Sequence, residues 1–463
     1  MYKKGFVAVL LLLVASVSIL AGCSGGGNGS AGGKADGTGS TAENQAARTG
    51  TDNAASREKV ELRYMMWDQN QEPAYRQALD AFEQENPNIK VNIEVVPWAD
   101  YWKKLKTQAA GEVVPDLFWT YVGPIPDLAE KNLLLDLTQL TESVDMSKYN
   151  ETLVKNLQYK GKTYGLPKDW DALAVYYNKD LLKKAGYDAV PEDLAWNPQD
   201  GGTFVEFLQK LTLDKNGKHP NEAGFDPKNI VQYGFTPLTI DPQGISPFVV
   251  GNGGKVQDEN GGLAIDRPEA LEALTFVHDL IFKYHVAPKQ SELTAMNAEA
   301  MFNAGRLATW MTGPWMMKPF RENAPFEWGI VRNPSGPKGS VTRINGLTDS
   351  IYAGTKYPEQ AMEVAKFLAS RTTQDILGDT GTVFPAYSDS IQKFVDHYKG
   401  QGLDPSVFVE ALNGITVGDP ASPKWDQVMD VWTKNMTLAF NGELDIKEAV
   451  RAIAKDGNAA QGM

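Results

Sequence analysis

Regular alternation of apolar and polar positions begins at Val60. Val60 to Trp67 reads as a strand, and Pro73 to Glu85 reads as a helix with Tyr75, Leu79 and Phe82 on one face, closed by Asn86-Pro87. Ile89 to Val96 repeats with the two-residue period of a strand. Asp100 is placed to N-cap a helix through Ala110, and Pro115 to Trp119 suits a short buried strand. This β-α-β-α-β order predicts an α/β layer with parallel pairing, in which ligands gather beyond the carboxyl ends of strands. Trp67 and Trp119 stand at two such ends.

Further along, Lys160-Gly161-Lys162 predicts a hairpin turn, Tyr164 to Tyr177 an extended segment, and Asn178-Lys179-Asp180 the start of a helix through Ala185. Helical spacing returns at Thr203 to Leu211, Pro268 to Tyr284, Asn297 to Ala304 and Pro358 to Ser370, and Trp425 to Ala454 reads as helical. No repeat of about 20 to 50 residues is visible, so a solenoid or propeller has no support.

The N-terminus has a different pattern. Lys3-Lys4 precedes an uncharged apolar run from Phe6 to Leu20, the layout of a secretory signal over residues 1–22. The run is shorter than the roughly 20 residues a membrane-crossing helix needs. It ends at Leu20-Ala21-Gly22-Cys23, which resembles the lipobox of bacterial lipoproteins, in which the cysteine is acylated and becomes the N-terminus. Cys23 is the single cysteine, so an internal disulfide is excluded. Residues 23–58, rich in Gly, Ser, Ala, Thr and Asn and without an aromatic ring after the cysteine, read as a flexible tether. About 400 residues remain, more than one core usually serves, so two lobes are expected. The net charge of −13 is spread along the chain without a dense basic run, which argues against a nucleic-acid partner.

Several segments together resemble the family 1 extracellular solute-binding proteins, the sugar-binding components of bacterial ABC importers. They are Pro115-Asp116-Leu117-Phe118-Trp119, Gly161-Lys162-Thr163-Tyr164-Gly165-Leu166-Pro167, Tyr176-Tyr177-Asn178-Lys179-Asp180-Leu181-Leu182, and the run from Phe302-Asn303-Ala304-Gly305-Arg306 to Gly313-Pro314-Trp315. The resemblance implies a type II periplasmic-binding-protein fold, with two α/β lobes closing by hinge motion around a carbohydrate. It further implies a monomer that hands its ligand to ABC permease transmembrane subunits and is held to the membrane by its lipid anchor. By analogy the chain crosses between lobes at Gly165 to Asp171, at Arg343 to Thr348 and near Gly400. The expected N-terminal lobe is then 59–170 plus 347–400, and the C-terminal lobe 171–346 plus 401–463.

A sugar presents flat C–H faces ringed by hydroxyls, so its site needs aromatic platforms beside carboxylate, amide and guanidinium groups. Trp67, Asp68 and Gln69 supply such a set at a strand end, or an ordinary loop. Trp119 and Tyr121 fit a platform or a core equally. Trp170 and Asp171 lie at the first expected crossing, where Asp171 serves either a ligand or the hinge. Trp315 resembles the family tryptophan that stacks on a sugar ring. Arg343 offers a rigid fork to ligand hydroxyls or to an interlobe salt bridge, with Asn345 beside it, and Trp425 is a further aromatic candidate. Asp214, Asn216, Glu222 and Asp226 resemble part of a calcium loop without completing it, so an ordinary turn is the reading preferred and calcium the alternative; no other cofactor is indicated. Two rival functions stay open: a secreted carbohydrate-cleaving enzyme using Asp68 and Asp171, and the same fold holding a solute other than a sugar. Against an enzyme, the sequence carries no nucleophile elbow, no His-Glu-x-x-His and no P-loop.

Overall fold

The computed structural model describes residues 58–463. The signal segment, Cys23 and nearly all of the expected tether lie outside the described residues. Fourteen strands follow in chain order: β1 (Val60–Met66), β2 (Ile89–Val95), β3 (Leu117–Tyr121), β4 (Gln158–Tyr159), β5 (Lys162–Thr163), β6 (Leu166–Ala172), β7 (Ala174–Asn178), β8 (Leu213–Asp214), β9 (Ile230–Thr236), β10 (Leu307–Thr312), β11 (Trp328–Val331), β12 (Val341–Ile351), β13 (Phe384–Pro385) and β14 (Ile415–Gly418).

They form two main sheets. One has seven strands in the order β13-β6-β12-β3-β1-β2 with β14 beside β12; the other has five, β11-β7-β10-β9-β8. β1 pairs parallel with β2 and β3 because the helices Glu72–Glu85 and Trp98–Ala110 carry the chain back between them. The second helix is capped at Pro97, three residues before the expected cap. Asp100 therefore lies in its first turn, where its charge complements the helix dipole. β4 and β5 make the expected hairpin.

Each sheet has its own apolar core. Tyr64, Leu79, Phe82, Phe118 and Leu368 fill that of the seven-stranded half, and Phe204, Phe235, Leu274, Trp432 and Ile453 that of the five-stranded half. The C-terminal helical segment is two helices, Trp425–Asn441 and Ile446–Ala460, broken where Gly442 turns left-handed at φ 82° and Asp445 N-caps the second. Both helices lay their apolar faces on the five-stranded half.

The chain passes between the sheets three times. β6 gives way to β7 across the single residue Leu173. The return, expected over Arg343 to Thr348, falls earlier, between β11 and β12: β12 is one 11-residue strand whose first residues pair with β14 and whose last pair with β3, so it belongs wholly to the seven-stranded sheet. The third passage lies between Gly418 and Trp425 rather than near Gly400, which merely ends the helix Ile391–Lys399.

Candidate functional site

The carboxyl ends of β1 and β3 are covered by aromatic rings. Trp67, half-buried just beyond β1, meets Trp98 and Trp119 edge-to-face at centroid distances of 5.2 and 5.0 Å. Trp98 and Trp102, one helical turn apart, contact each other at 5.7 Å, and Trp102 meets Tyr121, the last residue of β3, at 5.5 Å. Tyr121 in turn meets Trp425 of the other half at 6.3 Å. Rings therefore run from one half to the other, and Trp98 at 39% exposure is the face most open to solvent. Trp98 and Trp102 escaped the sequence reading because a helix begun at Asp100 leaves Trp98 outside it; their spacing of four residues was the available signal.

Trp315 lies where the two cores meet. It is half-buried and packs against the cores of both halves. Gly313 makes the placement possible, since a Cβ there would lie 1.8 Å from the indole, and its carbonyl is fixed by the Tyr176 hydroxyl at 2.9 Å. Trp425, buried, forms a small cluster with Tyr121 and Leu347. Its ring approaches Gly123 so closely that a Cβ on that glycine would lie 2.8 Å from the indole. Beside this contact Lys131 holds Asp426 of the five-stranded half at 2.8 Å and Asp127 of its own half at 2.7 Å. We expect Gly123→Val to keep the halves apart at this edge. Small-angle scattering of the variant should then show no compaction with a ligand that compacts the native chain, whereas equal compaction would mean the contact is incidental.

Not every candidate faces the junction. Trp119 is fully buried: its indole N–H donates to the Tyr64 hydroxyl, and the Lys168 ammonium sits 3.7 Å above its ring. β3 lies between β1 and β12 and buries both faces, which makes Trp119 core rather than platform. Trp170, on β6 between β12 and β13, is likewise buried and stacks on Phe384 at 4.8 Å. Gln69 is exposed and bonds Glu72. Asp68, half-buried, accepts from the Asn70 amide at 2.8 Å and the Gln71 side chain at 2.9 Å.

Arg343 and Asp171 belong to the hinge. The Arg343 guanidinium grips the Asp419 carboxylate through Nε and Nη2, each at 2.6 Å, and reaches Asp171 through Nη1 at 2.7 Å. Arg343 is 1% exposed, so its fork serves the protein and not a ligand. Burial pushes the Asp171 carboxyl up to about 7 against the opposing pull of Arg343, because one cation is shared between two buried acids. Asn345 sits buried beside Asp171. Thr342 exchanges hydrogen bonds with the backbone of Leu173 at 2.9 and 2.8 Å, and the Asn333 side chain donates to the carbonyls of Leu173 and Val341 at 3.1 and 3.0 Å. All three passages are thereby tied together.

The Asp214 loop holds its acids and amides within the turn. Asp214 accepts the backbone amides of Asn216, Lys218 and Asp226 at 2.8, 2.9 and 2.8 Å, while Glu222 accepts the His219 amide and Asp226 pairs with Lys215 at 3.0 Å. These oxygens close a turn by themselves, and among the described residues no three His, Cys, Asp or Glu side chains gather as a metal site would require. A cavity of about 320 Å³ lies beyond β9, lined by Thr236, Asp241, Asn297, Trp432 and Phe440.

Two sheet-centred halves joined by three tied passages, with an aromatic junction between them, define a two-lobe solute-binding fold. The family model for bacterial extracellular solute-binding proteins matches residues 68–375, and the chain belongs to that family. It is 24% identical over 383 residues to the maltodextrin-binding protein MdxE of Bacillus subtilis, covering 80% of this chain and 83% of that protein. It is 23% identical over 380 residues to the maltooligosaccharide ABC transporter solute-binding lipoprotein of Streptococcus pneumoniae R6, covering 80% and 81%. Among solved structures, the Listeria monocytogenes ABC substrate-binding protein Lmo0181 in complex with cycloalternan matches with a TM-score of 0.77 and 25% identity over 88% of this chain and 100% of that one. Mycobacterium tuberculosis UspC matches with a TM-score of 0.65 and 29% identity over 86% and 100%. The family and these relatives are binding proteins rather than enzymes. No helix among the described residues is long and apolar enough to cross a membrane.

Proposed function

We propose that this chain is the extracytoplasmic receptor of an ABC importer, tethered through an acylated Cys23, that captures a carbohydrate between its halves and presents the closed complex to the permease subunits. The observation carrying this reading is the run of rings from Trp98 through Trp102 and Tyr121 to Trp425, together with Trp315 packed against the cores of both halves. Aromatic faces contributed by both halves suit a sugar's apolar faces and leave its hydroxyls to the surrounding polar groups. The sugar-binding names of the relatives support the same ligand class. A cleaving enzyme is disfavoured because Asp171, one of the two acids it would use, is held by Arg343 in the hinge.

The test is a thermal-shift screen of the chain from Ser24 onward against mono- and oligosaccharides, with product analysis of every hit. A ligand at about 100 times its Kd should raise Tm by about 3 °C, and the sugar should be recovered intact. Cleaved or altered sugar would replace the receptor by an enzyme, and a screen without any sugar hit would remove carbohydrate as the ligand.

A further inference from the structure

The walls of the cavity beyond β9 lead back to the aromatic junction. β9 and β10 are parallel neighbours, Thr236 pairing with Trp310, so the loops that follow them leave the same edge of the five-stranded sheet. The loop after β10 carries Gly313 and Trp315. The loop after β9, from Pro237 to Asp241, walls the cavity and runs into the helix Pro242–Gly251, which packs against β12 and β14 of the other half. The helix Trp425–Asn441 supplies a second wall. Along it Trp425, Met429, Thr433 and Thr437 follow at four-residue spacing on one face. Trp425 packs on Tyr121 in the junction, and Met429 packs both on that cluster and on the core of the five-stranded half. Thr433 and Thr437, one and two turns further on, line the cavity. Junction and cavity are therefore successive stretches of one helix face, with Thr433 about 6 Å along the axis from Met429.

Polarity changes with depth. Of the lining residues Asn297 and Thr433 are exposed, whereas Val277, Ile281, Trp432 and Phe440 are buried. No lysine, arginine or histidine lines the space, and its one carboxylate, that of Asp241, is engaged by the Gln243 amide at 2.9 Å and the Thr239 hydroxyl at 2.5 Å. The Trp432 indole N–H donates to the Ile240 carbonyl at 3.1 Å, so what this residue offers an occupant is ring surface. Thr236 is then the one buried lining residue with a side-chain polar group to spare. A charged group on this floor would lose its hydration without gaining a counter-charge, and a sugar ring there would leave most of its hydroxyls unpaired. An apolar group meets neither cost. A dry cavity of ~150 Å³ takes up benzene, so about 320 Å³ has room for a phenyl ring or a short alkyl chain.

We propose that this cavity is an aglycone pocket: while the junction holds the sugar, an uncharged aryl or short alkyl substituent on it enters past Thr433 onto Trp432 and Phe440. The receptor then prefers glycosides with an apolar aglycone to the corresponding plain saccharides. This rests on the carbohydrate-receptor reading and names the ligand class for the same site.

Glucosides, galactosides, mannosides and maltosides, each as the methyl, butyl and phenyl glycoside, would be titrated calorimetrically into the chain from Ser24 onward at low and at raised ionic strength. Within at least one set the butyl and phenyl forms should bind about 10-fold more tightly than the methyl form, an advantage that added salt leaves unchanged because no charge takes part. Thr433→Trp covers the mouth from an exposed position where the fold has little at stake, and Thr437→Phe fills the space from within. In both variants the ratio of butyl or phenyl to methyl affinity should fall towards one, while the methyl glycoside binds as it does to the native chain. Equal affinity of the three forms for the native chain would overturn the pocket and leave the receptor reading intact. An apolar advantage that survives both variants would overturn it too and would place the substituent on the exposed Trp98 instead. Failure of every glycoside to bind would remove the receptor reading and the pocket with it.

Discussion

Replacing Arg343 by methionine is expected to lower stability by about 3–5 kcal/mol, because the change leaves Asp171 and Asp419 buried beside each other without a cation. The side chain itself contributes little contact that methionine could not replace; the loss comes from the two stranded charges. It should therefore depend on pH. Asp171 in the native chain is already pushed up to about 7, well above the carboxylate value of an unfolded chain, so the proton it binds stabilises the folded state below that range. That contribution is fully present below about pH 4 and is lost as pH rises through about 7. Removing Arg343 raises the Asp171 carboxyl further. The deficit of the variant should then be smallest at acid pH and largest above neutrality, as read from urea midpoints at several pH values. A deficit of the same size at every pH would show that lost packing, not stranded charge, is what the substitution exposes.

The same residue marks where the sequence stops being informative. The strands and helices that build the first β-α-β-α-β run were legible because each is set by neighbours a few positions away, and Trp67, Asp68 and Tyr121 fall at strand ends as the alternation predicts. Arg343 was not legible in this way. Its partners Asp171 and Asp419 lie 172 and 76 residues away, and only the folded sheet brings them to one guanidinium. Trp119, open between platform and core, and Trp170 could not be settled for a related reason: a tryptophan on a strand buried on both faces has the same local pattern as one on an open face, and the deciding neighbours, Lys168 and Phe384, are set by pairing across the sheet. The Asp214 loop poses another kind of ambiguity. Backbone amides and a calcium ion ask for the same closely spaced acidic and amide side chains, and only the hydrogen bonds tell them apart. Trp98 needed no distant contact at all, only a helix cap placed three residues earlier at Pro97.

Trp315→Ala should abolish measurable capture, raising Kd by about 100-fold or more, while costing the fold comparatively little. Central aromatic residues that both partners enclose typically carry 2 kcal/mol or more of binding each. Trp315 meets that description, since its ring lies against the cores of both halves and its direction is set by Gly313 and by the Tyr176 hydroxyl bound to the Gly313 carbonyl. A fully buried tryptophan would cost about 3–5 kcal/mol of stability on truncation. Trp315 is only half-buried, so a smaller loss is expected. The two effects separate in one pair of measurements, calorimetric affinity and urea midpoint. Trp315→Phe adds the control: a ring that still stacks should recover most of the affinity, because stacking needs an aromatic face more than the indole N–H. Unchanged affinity in the alanine variant, with a lowered midpoint, would make Trp315 a packing residue and move the recognition surface to the Trp98–Trp102 side of the junction.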